Sequence, residues 1–429
     1  MSQYQSFVFQ DYQFDPILKT LQLIYSYDTA QTFTETYHFD FDFVQYDPAA
    51  LDMALQNLFF LAGISYYKAF LAPQIVVKKG TIDSSLAIFL NKTYQRGLGE
   101  FFYVNRLDPY TKIVFPETGG FKVACSSAGR GLLVGLGGGK DSLVTVEALR
   151  QTASVATWSV GHREQLSPLV EKIGLPHFWV ERKWDLKLLD LNSQGALNGH
   201  VPISAILAAT GTVVALLSGY QDVVVSNEHS ANEPTLSYDG VLINHQYSKS
   251  QEFETDFQGL LTQQFGESLR YYSFLRPLSE LRIAELFVKS SLQKYATIFS
   301  SCNRAYTLDS HHMSWCGHCP KCAFIYLALV NFCEKTDLDL IFGNRDLLRD
   351  SSLETTYRNL LGIAGDKPLE CVGEIEESRQ AMRWLQSQNK EFEKYRFELA
   401  SGYNYKNLYS HSMPLDVYDR LLANLNQWV

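Results

Sequence analysis

The residues Gly137-Gly138-Gly139-Lys140-Asp141-Ser142 carry the strongest chemical signal in the chain. An apolar run, Leu132-Leu133-Val134, leads into them, and the amphipathic stretch Leu143–Leu149 follows. That order reads as a buried strand, a glycine turn and a helix start. Glycines let backbone N–H groups approach an anion closely, and a helix N-terminus adds partial positive charge. The segment is therefore suited to phosphate. It is not a Walker loop, because Val134 stands where the first Gly is required and Asp141 follows the Lys. Nor is it a dinucleotide fingerprint, since Lys140 occupies the last Gly position. What remains is Gly-Gly-x-Asp-Ser after a strand.

A second signal is Cys316-Gly-His-Cys319-Pro-Lys-Cys322, with Cys302 upstream. Four thiolates match a closed tetrahedral zinc site, which has no open position and serves structure. The same spacing also suits an iron–sulfur cluster. Zinc is the expectation, because a phosphate-binding enzyme has no evident use for redox chemistry. His318 reads as a neighbour of the site. Cys125 and Cys333 read as ordinary thiols in apolar settings. Seven cysteines is an odd number, and their clustering indicates a metal rather than a disulfide framework.

Four polar patches supply candidate acid/base groups. Asn198-Gly199-His200-Val201-Pro202 precedes an apolar stretch. Asn227-Glu228-His229-Ser230 follows an expected strand, and Asn244–Ser250 contains His245. Glu370-Cys371-Val372-Gly373-Glu374 lies near the C-terminal end. Each also reads as a cap or turn. His200 can simply cap its helix, and His245 can be a satisfied buried imidazole. The six-residue spacing of Arg270, Arg276 and Arg282 fits no single helical face. These arginines and Arg304 read mainly as separate ion pairs.

These residues must be positioned by a sizeable fold. The chain has 429 residues, 46% hydrophobic and 14% aromatic, which supports a large core and two or three domains. Its net charge of −9 argues against a general nucleic-acid surface. No secretory signal is visible, and Val201–Leu217, interrupted by Ser204, Thr210, Gly211 and Thr212, reads as a buried helix rather than a membrane span. A cytoplasmic enzyme is expected. Alternating patterns such as Thr32–Asp42 predict antiparallel strands with one wet face, followed by a helix over Asp52–Phe70. Ser126–Gly129 reads as a linker. Strands are predicted at 132–136, 155–160, 177–180 and 222–226, alternating with helices near 142–152, 164–173, 184–191 and 201–217. That alternation predicts a doubly wound parallel α/β sheet with ligands at the carboxyl ends of the strands. The expected division is an α+β domain at 1–125, an ATP-binding α/β domain at 126–299, and a metal-bearing, mainly helical region at 300–429.

The Gly-Gly-x-Asp-Ser turn resembles the PP-loop of ATP pyrophosphatases, of the adenine nucleotide alpha hydrolase-like type. Those enzymes cleave ATP to AMP and pyrophosphate while adenylating a substrate. Their usual loop opens with Ser, where this chain has Gly137. A PP-loop followed by this cysteine spacing also resembles the 7-cyano-7-deazaguanine synthases. The closer resemblance is to the UDP-N-acetyl-α-D-muramoyl-L-alanyl-L-glutamate epimerases, or MurL family. It rests on Ala62–Ala69 (AGISYYKA), Gly97–Phe101 (GLGEF), Gly137–Glu147 (GGGKDSLVTVE), Asn198–Pro202 (NGHVP), Ser226–Glu228 (SNE) and Asn244–Lys249 (NHQYSK). Leu269–Leu281, Phe299–Arg304, Trp315–Phe324 and Glu370–Glu374 extend it over about residues 55–385. That family's loop also begins with Gly.

The resemblance implies inversion of the terminal L-Glu of UDP-MurNAc-L-Ala-L-Glu to D-Glu, for peptidoglycan, with ATP and Mg²⁺ consumed to AMP and pyrophosphate. A carboxylate's charge opposes forming a carbanion beside it. Adenylation removes that charge, so a base of ordinary pKa suffices. Gly137, Gly138, Gly139 and Ser142 are expected to bind pyrophosphate, Lys140 to neutralise phosphate charge, and Asp141 to orient the loop or hold Mg²⁺. Inversion implies two acid/base groups or one mobile one, for which His200, His229, His245 and Cys371 are the candidates, with Glu228 and Glu374 as orienting groups or Mg²⁺ ligands. The L-Ala carbonyl closing to an oxazolone, or an open carbanion, both satisfy the chemistry. Two rival readings remain at this point: a PP-loop ligase that adenylates another carboxylate, and a zinc-containing RNA-binding module.

Overall fold

The computed structural model describes residues 3–28, 31–120, 129–151, 154–306 and 312–428. Cys125 and most of the expected linker lie outside the described residues. The N-terminal strands are β1 (Ser6–Asp15), β2 (Thr20–Tyr27), β3 (Gln31–Asp40) and β4 (Gln74–Val77). Then follow β5 (Leu132–Gly135), β6 (Val155–Val160), β7 (His177–Lys183), β8 (Asp222–Val225), β9 (Leu236–Tyr238), β10 (Val241–Ile243) and β11 (Arg270–Ser273). The helices that matter for the site are α1 (Pro48–Ala62), α2 (Gly99–Val104), α3 (Lys140–Leu149), α4 (Ile203–Ser218), α5 (Gln251–Phe265), α6 (Glu280–Ser290), α7 (Pro320–Leu329) and α8 (Ile375–Gln388).

Nine strands form one sheet in the order β11-β8-β5-β6-β7-β3-β2-β1-β4. The run from β11 to β7 is parallel throughout. β3 then joins β7 antiparallel, with Phe39 opposite Val180. The sheet therefore crosses the expected division at 125/126 without a break, because the aromatic N-terminal meander extends the parallel core. Phe7, Phe9, Tyr25, Tyr27, Phe33 and Tyr37 lie buried on one face of that meander. Burying each such ring contributes roughly 1.5–3 kcal/mol.

Local rules explain the helices on this face. Asp47 caps α1 by accepting the Ala49 N–H at 2.8 Å, and Pro48 fits the first turn. The predicted helix at Asp52–Phe70 thus starts earlier, and it breaks at Gly63, where a Cβ would lie 2.5 Å from the Phe9 ring. Helix α4 is buried on nearly every side, and a Cβ on Gly211 would meet the Trp158 ring at 2.7 Å. Beyond residue 298 the described chain is helical and irregular, and it packs a second core around α6 and α7. Among the described residues, no helix is long and apolar enough to cross a membrane.

Candidate active site

In this sheet the direction of strand addition reverses at β5. The chain moves from β5 to β6 and β7 on one side, then returns to β8 and β11 on the other. Ligands in open α/β sheets bind at such a switch point, beyond the strands' carboxyl ends. The glycine turn after β5 and the Ser226–His229 segment after β8 both emerge there. Ser226 Oγ donates to Thr145 Oγ1 on α3 at 2.8 Å, which ties the two segments.

The N-terminus of α3 has Gly139 as its cap and no capping side chain. Its first amides are therefore free to meet an anion. Gly138 adopts φ +82, and a Cβ there would lie 2.2 Å from the Tyr306 hydroxyl. No atom lies within 4 Å of where a Gly137 Cβ would be, so that side of the turn is open. The segment after α6 clasps the turn from behind. Ser300 N donates to Gly138 O at 3.0 Å, and the Tyr306 hydroxyl donates to Gly137 O at 2.9 Å.

Lys140 does not face this opening. Its ammonium is 1% exposed and bonded to the carboxylates of Asp141 and Glu280. Burial opposes its charge, yet these two carboxylates hold it above the ordinary lysine range. Lys321 approaches the other oxygen of Glu280 at 3.8 Å. Glu280 itself starts α6, where its N–H donates to Glu377 Oε1 at 2.5 Å.

A second group lies around Cys371. Lys249 Nζ donates to its Sγ at 3.1 Å, and His245 Nε2 lies 3.9 Å away. The other ring nitrogen of His245 is hydrogen-bonded to Glu100 on α2. His200 stands 3.6 Å from the same Glu100 oxygen, with its ring 4.7 Å from that of His245. Burial alone would raise the Cys371 thiol, but Lys249 and His245 pull it down to about 5. Burial likewise works against His245, yet Cys371 and Glu100 raise it to about 9. The resting pair is thus thiolate and imidazolium. Burial and the neighbouring His245 charge push His200 down to about 4, so it is the free base.

Glu228 lies within electrostatic reach of both groups. It is 6% exposed and feels the charges of Glu280, Asp141, Lys249 and Lys321. Burial, then those two carboxylates, raise it to about 7. The fully buried Arg276 fixes this geometry by donating to Glu228 O at 2.6 Å, Lys249 O at 2.5 Å and Glu254 at 2.8 Å.

His229 and Glu374 stand apart from that group. His229 stacks on Tyr409 with ring centroids 3.5 Å apart and meets Glu374 at 3.6 Å. Glu374 forms a capping box with Glu377 at the start of α8, the cap role that such a patch also allows. The arginines mainly form separate pairs, Arg270 with Asp222 at 2.7 Å among them. Sequence alone assigns no role to Glu100, Lys249, Glu280 or Lys321. All four sit inside the words that carry the family resemblance, but their pairing is visible only in three dimensions.

Cys302, Cys316, Cys319 and Cys322 bring their sulfurs within 4.8 Å of one another. The separations of 3.5, 3.6 and 3.9 Å match the edge of a tetrahedron with Zn–S bonds of about 2.3 Å. His318 turns away to Arg304 and Cys316 O, so it is not a fifth donor. Arg345 braces the site by donating to Cys316 O at 2.6 Å and Trp315 O at 2.7 Å.

The model of the MurL N-terminal domain matches residues 1–274, and that of the MurL C-terminal domain matches residues 298–399. The chain belongs to the MurL family. One relative, the UDP-N-acetyl-alpha-D-muramoyl-L-alanyl-L-glutamate epimerase of Xanthomonas oryzae pv. oryzae, is 40% identical over 85% of this chain and 82% of its own length. The epimerase of the same name from Salinispora tropica is 38% identical over 90% of this chain and 85% of its own. No solved structure matches the chain. The two matches are separated by residues 275–297, which hold α6, so the loop and Glu228 fall in one and the four thiols and Cys371 in the other.

Proposed function

We propose that this MurL chain epimerises the terminal L-Glu of UDP-MurNAc-L-Ala-L-Glu by adenylating its α-carboxylate, exchanging the α-proton and hydrolysing the activated acyl group. ATP is the co-substrate, and AMP and pyrophosphate leave. The names of the relatives support the substrate. One observation carries the chemistry: an uncapped helix N-terminus behind a glycine turn opens at the switch point, and Glu228 links it to the Cys371–His245 pair. On this reading the parallel core is of the PP-loop type.

Pyrophosphate takes the amides of Gly138, Gly139 and α3. Asp141, 22% exposed, is placed to hold Mg²⁺, which would screen the phosphate charge. Lys140 is an anchor for Asp141 and Glu280 rather than a phosphate contact. The four thiols suit a structural Zn²⁺. A cavity of about 720 Å³, lined by Arg96, Gly99, Lys112 and Asn244, adjoins Glu100 and His245 in sequence and has room for the nucleotide-sugar end.

Adenylation removes the carboxylate charge beside Cα. Glu228, near 7, has the basicity to take the proton at neutral pH, and imidazolium His245 the acidity to return one. Incubation with UDP-MurNAc-L-Ala-L-Glu, ATP and Mg²⁺, followed by chiral analysis of glutamate and assay of AMP, tests the reading. Asp141→Ala should abolish AMP formation. Full AMP production by that variant, or wild-type product that stays L, would overturn it. Amine-dependent gain of mass would mark a ligase instead.

A further inference from the structure

Cys371, His245 and Glu100 stand in the order nucleophile, imidazole, carboxylate. The thiol faces Nε2 of His245 at 3.9 Å, and Nδ1 of His245 is bonded to Glu100. That is the arrangement of an activated cysteine nucleophile, with a base oriented by a third group. Lys249 at 3.1 Å adds a second cation beside the sulfur. Proton transfer alone does not require this order, because a base needs no carboxylate behind its partner.

We propose that Cys371 takes the activated α-carboxyl as a thioester, so that inversion occurs on an acyl group covalently held by the enzyme. The inference rests on the adenylation reading and deepens it. The Cys371 thiolate attacks the acyl carbon, a C–S bond forms, and the C–O bond to AMP breaks with its electron pair leaving on AMP. A thioester keeps the charge off the carboxyl, so the α-proton stays acidic after the nucleotide has gone. Glu228 takes that proton and later releases it to solvent. His245 gives its proton to the opposite face of Cα and becomes a neutral imidazole. It then takes a proton from the water that attacks the thioester, the C–S bond breaks, and thiolate and imidazolium are restored. The other proton set free on hydrolysis goes to solvent. No oxidant or reductant is involved.

Covalent capture also explains the placement of Lys249. Its ammonium stabilises the thiolate before attack and again as the leaving group in hydrolysis. It is a positioning residue, with its backbone carbonyl held by Arg276.

The decisive experiment is a single turnover of full-length enzyme with ATP, Mg²⁺ and substrate radiolabelled in glutamate, quenched in acid. Glu228→Gln is the variant of choice, because it blocks proton removal and lets the acyl group accumulate. Label should stay with the denatured protein, map to the peptide containing Cys371, and be released by neutral hydroxylamine. Cys371→Ala should release AMP without retaining label and without inversion. AMP release by wild type and Glu228→Gln with no protein-bound label would overturn the thioester and leave adenylation standing. Inversion by Cys371→Ala at the wild-type rate would also overturn it. Absence of AMP from the wild type would remove both readings. As a readout independent of turnover, Lys249→Gln should raise the pH at which iodoacetamide alkylates Cys371, and an unmoved profile would count against the role given to Lys249.

Discussion

At the residue scale, the proposed mechanism makes pH dependence a matter of three ionising side chains. Glu228 must be a carboxylate to take a proton, so activity should rise as pH passes about 7. His245 must be an imidazolium to return one, so activity should fall as pH passes about 9. The Cys371 thiolate forms near pH 5, below the first limb, and leaves no separate step. A bell with these limbs is expected in kcat/KM for inversion, and a profile flat from pH 6 to 10 would refute the assignments. Glu228 also has a stability signature. Its folded pKa is raised from 4.5 to about 7, so the native state binds the extra proton between those values. Stability from this group is full below the unfolded value and declines as pH rises through the folded one. Glu228→Gln removes the buried charge, so its Tm at pH 8 should exceed that of the wild type by a few degrees while inversion is lost. A Tm that falls in step with activity would mean that Glu228 is structural.

At the scale of elements, the turn between β5 and α3 makes a contrast inside three consecutive glycines. Gly138 needs its φ of +82, and any Cβ there collides with Tyr306 and Met313. Gly138→Ala should cost about 1–3 kcal/mol in stability from backbone strain and clash, and should stop AMP formation. At Gly137 a side chain meets nothing within 4 Å, so Gly137→Ser should keep the fold and AMP release. Thermal melts and AMP assays on the pair decide the point, and equal damage from both would contradict the geometry. This turn was legible in sequence because glycine, strand and helix-start signals are local. Strand β6 was readable to the residue for the same reason, as a short run rich in β-branched and aromatic residues, VATWSV. β11 was not, because Arg270 and the tyrosines of RYYS look like an interruption until Asp222 and its parallel neighbour β8 are in view. The Glu100–His245 pair joins residues 145 apart in sequence, and no periodicity announces such a contact. Glu374 caps α8, a role that sequence alone does not separate from that of an acid, because a glutamate before a helix can be either.

At the scale of the whole molecule, two cores lie on opposite faces of the parallel strands, with Leu133 and Val223 in one and Val134 and Val224 in the other. One lies between the aromatic meander, α1 and α4, and the other around α6 and α7. Composition and alternation indicated both a parallel core and a helical C-terminal region. They could not show that β3 would pair with β7, since register between distant strands is set by packing rather than local pattern. The four-thiol site belongs to the second core and reaches the glycine turn through a short relay. Cys302 N donates to Ser300 Oγ at 3.1 Å, and Ser300 N in turn holds Gly138 O. Tyr306, four residues beyond Cys302, holds Gly137. A metal fixing Cys302 would therefore fix the back wall of the glycine turn. Cys316→Ser leaves Ser300 and Tyr306 intact but breaks the ligand set. It should lower bound zinc from about one equivalent per chain, measured by elemental analysis. It should also weaken nucleotide binding, measured by titration of ATP at a temperature where circular dichroism shows the variant still folded. Loss of zinc with unchanged ATP affinity would separate the two and leave the metal with a purely local role.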